Sequence, residues 1–396
     1  MKILHTADWH LGVKTDRRPR IEEQRKIMQE IVDYANNYKV DIVLVSGDVF
    51  DQAVPTSEAE ELFYDTLEKL SANNNRVVVV LAGNHDDPKR LSANKHFAKK
   101  HNVVLVGDLN PICELNLQGK SKVVEVGEGY IVVQVETTRG SELVSIGILP
   151  YPAEYRLNAK AVGSTYQEQV KNWSRLVCKG FKRNSFNILA SHLMVAGAKW
   201  EEDGNIMDLR VGDINVVSPA DLPKADYYAL GHIHTNSVIK NNIVYSGAPI
   251  KLSYNQSEPG VVLLTAGDGK LKDMHFHRLT SPVKMEQVCA VGLEKVEDAL
   301  KEFNENDIVE LTIVQDKPLS TIQIKEIKEK YPCVLTVKLE LTNIEVDDKT
   351  YVVNRDKLTA QDLFINFYKQ KKQVEPSKEI LKLFVDVMED KASETN

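Results

Sequence analysis

Nowhere does the sequence offer an apolar run long enough to span a bilayer. The longest, around Val77–Ala82, falls far short of the roughly 20 residues required. A secretory leader is not expected either, because Asp8 interrupts the opening apolar stretch almost at once. Cysteine is scarce. Cys113, Cys178, Cys289 and Cys333 are scattered without a CxxC pair, which argues against a zinc site or a disulfide framework and for reduced, packed thiols in a cytoplasmic protein. Cations are outnumbered, 50 Lys and Arg against 57 Asp and Glu, for a net charge of −7. A chain of that balance does not hold nucleic acid by bulk electrostatics, although bound metals and local basic patches can still meet phosphates. No GxxxxGKS or GxxxxGKT loop occurs, and no repeat at a solenoid period.

What is present is a globular composition, 42% hydrophobic and 27% charged, over 396 residues, enough for two or three domains and a large core. The first hundred residues alternate strand-like runs (Lys2–Ala7, Asp41–Ser46, Arg76–Ala82, Val103–Val106) with helical stretches (Arg20–Tyr38, Ser57–Ala72, Pro88–Lys100). That order predicts an α/β layered sheet. Alternating strands fill residues 110–150, a helix is expected near Thr165–Lys182, and the strands "FNILASHLM" and "ADYYALGHIH" lead into hairpin runs through Phe276. The second half thus reads as another sheet packed on the first. "RLTSPVK" (Arg278–Lys284) is a candidate boundary, beyond which Met285–Leu341 reads as strand, helix, strand, helix, strand. Two short helices are expected after that, one starting at Thr359 with Asp362 three residues on, the other following Pro376 and Ser377.

Polar clusters sit where strands give way to loops. Asp8 and His10 follow the first strand; if it stays extended, residues i and i+2 point to one side and these two converge. "GDVFD" supplies Asp48 and Asp51, "GNHD" supplies Asn84 and His85, "SHL" supplies His192, and "GHIH" supplies His232 and His234. Sites in open α/β folds lie beyond the carboxyl ends of the strands, so these clusters should be neighbours. Each motif is weak alone, and "MHFH" (His275, His277) shows why: it has the same spacing but no glycine turn and no nearby carboxylate, and reads as strand surface. Taken in order, DxH, GDxxD, GNHD, H and GHxH offer oxygen and nitrogen donors without a thiolate. That set suits two divalent ions such as Mn²⁺, Fe²⁺ or Zn²⁺ sharing a carboxylate, an arrangement built for displacement at phosphorus.

This series resembles the calcineurin-like metallophosphoesterase signature. The resemblance implies that Asp8, His10, Asp48 and His234 hold one ion, and that Asp48 as the bridge, Asn84, His192 and His232 hold the other. It implies for His85 the donation of a proton to the leaving oxygen, and for Asp51 a carboxylate that pairs with His85, although Asp51 equally reads as a turn cap. Phosphatases of the superfamily carry arginine after GDxxD and glutamate after NH, where this chain has Gln52 and Asp86.

The fuller text "ILHTADWHLG", "GDVFD", "LAGNHD" and "ALGHIH" resembles the SbcD family, nuclease subunits that act with an SbcC-type ATPase. The implied fold is α/β: a two-sheet metallophosphoesterase sandwich flanked by helices over residues 1–280, a small α/β capping domain that contacts DNA over 281–345, and C-terminal helices over 346–396 that dock on the ATPase. The implied activity is Mn²⁺-dependent hydrolysis of phosphodiesters by an activated water, as a 3′-to-5′ exonuclease on duplex ends and an endonuclease on single strands and hairpins. Any ATP dependence then comes from the partner, in a cytoplasmic, nucleoid-associated heterotetramer containing a homodimer of this chain. Lys14, Arg17, Arg18 and Arg20 follow the first ligands closely and are expected to meet DNA phosphates. Lys89, Arg90, Lys95, Lys99 and Lys100 read equally as phosphate contacts or a solvated face, and Leu62, Phe63, Leu91 and Phe97 as dimer contacts or core. The apolar last helix, with Ile380, Leu381, Phe384, Val387 and Met388, is expected to dock on the partner rather than on its own domain. A phosphodiesterase or phosphatase of small molecules is the second reading, and a metal-free scaffold the third.

Overall fold

In the computed structural model the chain divides into two compact units, Met1–Glu340 and Leu341–Asn396. The structure describes residues 1–111, 113, 115, 119–153, 163, 165–202, 205–208, 215–342, 364–365, 368–369, 375–377, 380–381 and 384.

Two large sheets form the core of the larger unit. The first has six strands in the order Lys270–Arg278, Gly260–Gly267, Lys2–Thr6, Ile42–Ser46, Val77–Leu81, Val103–Val106, of which the last four run parallel. The second has seven, in the order Ser237–Ile239, Ile243–Tyr245, Tyr227–Gly231, Ser185–His192, Gly140–Leu149, Tyr130–Thr137, Ser121–Gly127. Its central four, Ile243–Tyr245 through Gly140–Leu149, are also parallel. Side chains alternate across each strand, and in the central strands both faces are buried. Ile3, Ile42, Leu44, Val77 and Val79 meet Ile131, Ile146, Ile188 and Tyr227 in the layer between the sheets. Leu4, Val43, Val45, Val78 and Val80 face the helices Ile21–Asn37 and Ser57–Leu70 through Ile27, Ile31, Phe63 and Leu67. The helix Tyr166–Val177 covers the far side of the second sheet with Val170, Trp173 and Val177. This two-sided burial explains why the strands read as near-continuous apolar runs.

Several details differ from the sequence reading. Pro88–Lys100 is two short helices, Pro88–Leu91 and Lys95–Lys100, because the Asn94 side chain accepts from the Phe97 N–H and restarts the helix there. Leu62, Phe63 and Leu91 are core residues, at most 3% exposed, and are not available to a second copy. Phe97 is half-buried against Tyr64 and His101. Cys333 is buried and Cys113 and Cys178 are half-buried, but Cys289 is exposed rather than packed. His275 is exposed on the edge strand, while His277 stacks on Tyr34 with ring centroids 3.9 Å apart.

After the loop 279–284 the chain builds a three-stranded sheet from Met285–Val291, Ile308–Gln315 and Val334–Leu341, packed on the helices Val296–Leu300 and Thr321–Lys330. In the smaller unit Ser377 begins the last helix, its carbonyl accepting from Leu381 N–H and its hydroxyl from Ile380 N–H. Ile380, Leu381 and Phe384 are half-buried, and the Phe384 ring is stacked on Phe364 at 4.2 Å, inside its own unit. Thr359, Asp362, Val387 and Met388 lie outside the described residues. Among the described residues no helix is long and apolar enough to cross a membrane.

Candidate metal centre

The carboxyl ends of the parallel strands of both sheets open on one point, and seven donor side chains meet there. The strand Lys2–Thr6 ends before Asp8, however, so extended geometry does not bring Asp8 and His10 together. Instead Asp8, His10, Asp48 and His232 all have left-handed backbones, with φ of 54°, 44°, 48° and 94°. Such residues cost of order 1–3 kcal/mol each and persist only where their surroundings over-determine them. Here main-chain bonds do so: Asp8 N–H donates to Gly47 O (2.9 Å) and His10 N–H to Asp48 O (3.0 Å). His232 N–H donates to Asp8 Oδ1 (3.0 Å). Two glycines make the approach possible. A Cβ on Gly47 would lie 2.3 Å from His192 Nδ1, and one on Gly83 would lie 2.1 Å from Asp48 Oδ1.

Two groups of donor atoms, Asp8 with His10 and His234, and Asp48 with His192 and His232, each lie within 4.8 Å, and a third joins His10 to Asp51 and His85. His10 Nε2 and His234 Nε2 face each other at 3.2 Å. His192 donates from Nδ1 to Ser46 O (2.8 Å), which turns its Nε2 lone pair toward Asn84 Oδ1 (3.0 Å), Asp48 Oδ2 (3.3 Å) and His232 Nδ1 (3.2 Å). Asp48 stands between the groups, its Oδ2 3.6 Å from His10 Nε2, while its Oδ1 accepts the His85 N–H (2.8 Å). These facing buried oxygens and nitrogens call for positive charge between them in a dry site, part of which the protonated His192 supplies in the ion-free chain. A pair of divalent cations among them satisfies the set, and this donor chemistry fits ions of the Mn²⁺, Fe²⁺ or Zn²⁺ type.

Charge supports the same reading. Asp8 and Asp48 are at most 1% exposed, and their ion-pair partners among the described residues are all histidines. Burial pushes the Asp8 carboxyl up to about 6. Burial acts on Asp48 in the same sense, but His192, His10 and His85 around it hold it well below the usual carboxylate range. Burial would lower His192, yet the Asp48 and Asp8 carboxylates outweigh it and raise it to about 9. His10 is raised, the Asp51, Asp48 and Asp8 carboxylates together outweighing its burial. Burial, aided by the neighbouring His192 and His10 respectively, takes His232 and His234 down to about 3. Without ions, then, His192 carries a proton at neutral pH that must leave before it can ligate. Affinity for a divalent ion should therefore fall as pH drops below about 9, by up to ~10-fold per unit for each proton displaced. Calorimetric titration with Mn²⁺ at pH 7 in buffers of different ionisation enthalpy should count at least one proton released per chain; zero would contradict it.

Asp86 holds the site's loops together, a role its motif position did not reveal. Wholly buried, its carboxylate accepts from the N–H groups of Val49 (3.1 Å), Phe50 (3.0 Å) and Gly83 (2.8 Å), welding the "GDVFD" loop to the "GNHD" loop. His85 is exposed at the mouth of the cluster. The expected Asp51–His85 carboxylate pair is not what forms. His85 Nδ1 donates to the main-chain O of Asp51 (2.8 Å), and the Asp51 Oδ1 lies 3.6 Å from His10 Nδ1. The loop turns so that its carbonyl takes the His85 hydrogen bond, while its carboxylate lies within 4.8 Å of the His85 and His10 ring nitrogens.

The basic run after His10 also divides. Lys14 and Arg17 are exposed on a small hairpin of Lys14–Thr15 and Arg18–Pro19. Arg20 is 3% exposed and cannot reach a phosphate: Glu23 holds its guanidinium from two sides (2.7 and 2.8 Å), and Lys251 O accepts from it as well. Arg18 points to the three-stranded sheet, donating to Asp307 O (3.0 Å) and Glu305 O (2.9 Å), while Asp16 accepts from the Thr336 hydroxyl (2.8 Å). Arg18→Ala should lower protection of the 304–307 amides in hydrogen exchange by about 1–3 kcal/mol of local opening free energy. Unchanged protection there would show that these contacts do not hold the three-stranded sheet in place. Lys89, Arg90, Lys99 and Lys100 are exposed, with Arg90 paired to Glu60 (2.8 Å); the Lys95 side chain lies outside the described ones.

A family model for calcineurin-like phosphoesterases matches residues 1–236. The chain is 30% identical over 406 aligned positions to the SbcD subunit of the nuclease SbcCD from Bacillus subtilis strain 168, covering 98% of this chain and 97% of that one. It is 24% identical to the Staphylococcus epidermidis protein of the same name, over 93% of each chain. The Escherichia coli K12 protein of that name is 27% identical over 74% of this chain and 71% of its own. With the family model spanning more than half the chain and the Bacillus relative aligned nearly end to end, the chain belongs to the calcineurin-like phosphoesterases and, among them, to the SbcD family.

Proposed function

We propose that this chain is a Mn²⁺-dependent DNA nuclease subunit that hydrolyses phosphodiesters at duplex ends, single strands and hairpins. The observation that carries the reading is the convergence of Asp8, His10, Asp48, Asn84, His192, His232 and His234 beneath the exposed His85. When bound, two divalent ions supply a water of lowered pKa and neutralise charge developing at phosphorus. Asp8, His10, Asp48 and His234 would hold one; Asp48, Asn84, His192 and His232 the other. Asp48 suits a bridge because one oxygen faces histidines of both groups while the other is fixed by the His85 N–H.

His85 Nδ1 faces a carbonyl, which only accepts, so that nitrogen keeps its own proton, and in the imidazolium form His85 would give the second proton, on Nε2, to the leaving 3′-oxygen. Its exposure lets it meet a substrate that cannot enter the buried floor. Lys14 and Arg17 remain as phosphate contacts next to the cluster; Arg18 serves the small domain and Arg20 the interior. Residues 1–280 form the nuclease domain, 281–345 the cap, and 346–396 a docking segment for an SbcC-type ATPase in a heterotetramer built on a homodimer of this chain. Within that segment Ile380 and Leu381 support the partner contact better than Phe384, which Phe364 already covers. Acting on DNA, the complex would work in the cytoplasm, at the nucleoid.

The test is hydrolysis of a blunt, end-labelled duplex by the purified chain in Mn²⁺, with and without the ATPase partner. A ladder is the expected result. Hydrolysis of bis(p-nitrophenyl) phosphate with no cleavage of DNA in either condition would replace the substrate, in favour of small phosphodiesters, and leave the metal centre standing.

A further inference from the structure

The turn that carries His10 satisfies few of its own backbone groups; within it Val13 N–H donates to His10 O (3.0 Å). Asp8, His10 and Gly12 all lie at positive φ (54°, 44° and 88°), so the carbonyls and N–H groups between them point away from any regular ladder. Two of these N–H groups, on His10 and Leu11, are taken by Asp48 O and Val49 O. Trp9 O, His10 O and Gly12 N–H are met by one side chain. Gln24, wholly buried on the helix Ile21–Asn37, donates from Nε2 to Trp9 O (3.1 Å) and His10 O (2.8 Å), and accepts at Oε1 from Gly12 N–H (2.9 Å). Only a carboxamide offers two donors and an acceptor in that space; a carboxylate lacks the donors and a thioether lacks both. Gln24 therefore brackets His10 from both sides of the chain.

We infer that Gln24 is a positioning residue for the ion held by Asp8, His10 and His234, fixing the turn on which two of those three donors stand. The inference rests on the reading of the cluster as a two-ion centre. Gln24 touches none of the donors grouped around Asp48 and His192, so its influence falls mainly on one of the two ions. Residues that orient metal ligands from behind command about 10–100-fold in affinity.

The experiment is calorimetric titration of Mn²⁺ into the full-length chain, wild type against Gln24→Met, with His234→Ala and His192→Ala assigning the two binding events. Melting curves in EDTA report the scaffold. The expected result is a loss of about 10-fold or more in the affinity of the event that His234→Ala removes, with the other constant kept. Equal constants in wild type and variant overturn the inference. So does a parallel fall in both constants that tracks the metal-free melting temperature, because that marks Gln24 as a core residue and no more. Should Gln24→Met fail to fold, Gln24→Glu, which keeps the acceptor for Gly12 and loses the donors, is read by the same criterion. A wild-type chain that binds no ion would overturn the two-ion reading instead, which keeps the two failures apart.

Discussion

His85→Leu should slow cleavage of DNA by about 10²–10⁴-fold while the chain keeps its full complement of ions. The backbone N–H of residue 85 holds Asp48 Oδ1, and a leucine at that position retains it, so the shared carboxylate stays in place. What is lost is the imidazole, exposed at the mouth and set by its bond to the Asp51 carbonyl. A 3′-alkoxide is a poor leaving group and needs a proton as the bond breaks; p-nitrophenolate does not. The variant should therefore retain most of the wild-type rate on bis(p-nitrophenyl) phosphate. Parallel loss on both substrates, at unchanged metal content, would remove the general-acid role from His85 and give it to charge stabilisation at phosphorus.

The second large effect is expected at Asp48. Asp48→Ala takes away the carboxylate that faces His10 at 3.6 Å and His192 at 3.3 Å. Both ions should be lost, with affinities falling by more than the roughly 10–100-fold that the partners behind metal ligands command, and nuclease activity should drop to background. The ion-free protein offers an independent check. After burial, which acts against it, the Asp48 charge is the largest influence on His192, so the imidazole should fall from about 9 once that charge is gone. Histidine NMR titration of Asp48→Ala and Asp48→Asn reads this directly, the second variant separating charge from shape. If one ion still binds at wild-type strength, Asp48 serves a single ion and does not bridge.

Much of this architecture is written in local pattern. Apolar runs such as Ile42–Ser46 and Val77–Leu81 are buried on both faces, which is why they are legible as interior strands, and each ends close to a glycine followed by a polar cluster. What pattern does not carry is the direction of a side chain beyond the strand end. The positive φ at Asp8 and His10 replaces the extended i, i+2 geometry that their spacing suggests, and only the neighbouring loop, through Gly47 O and Asp48 O, dictates it. Arg20 and Gln24 sit in "RIEEQRK", which looks like a solvated helix face. Both are interior because the helix start is pressed between the His10 turn and residues 251–285. Phe63 fails to declare itself for the opposite reason: an aromatic on a helix suits a core and a dimer face equally until its neighbours are known.

The seven donors are separated along the chain as widely as they are joined in space. Asn84 meets His192 across 108 positions, and His10 meets His234 across 224. Contacts so distant in sequence form late in folding, because the intervening chain must be closed into loops first. A ribosome adding roughly 5–20 residues per second exposes His85 many seconds before His234. Until then the growing chain carries an incomplete set of donors and no shared cavity. The ability to cut DNA thus arrives all at once, only after His232 and His234 have been made and both sheets can close. From that moment divalent ions bind the finished fold and not the open chain, and so pull the equilibrium toward it.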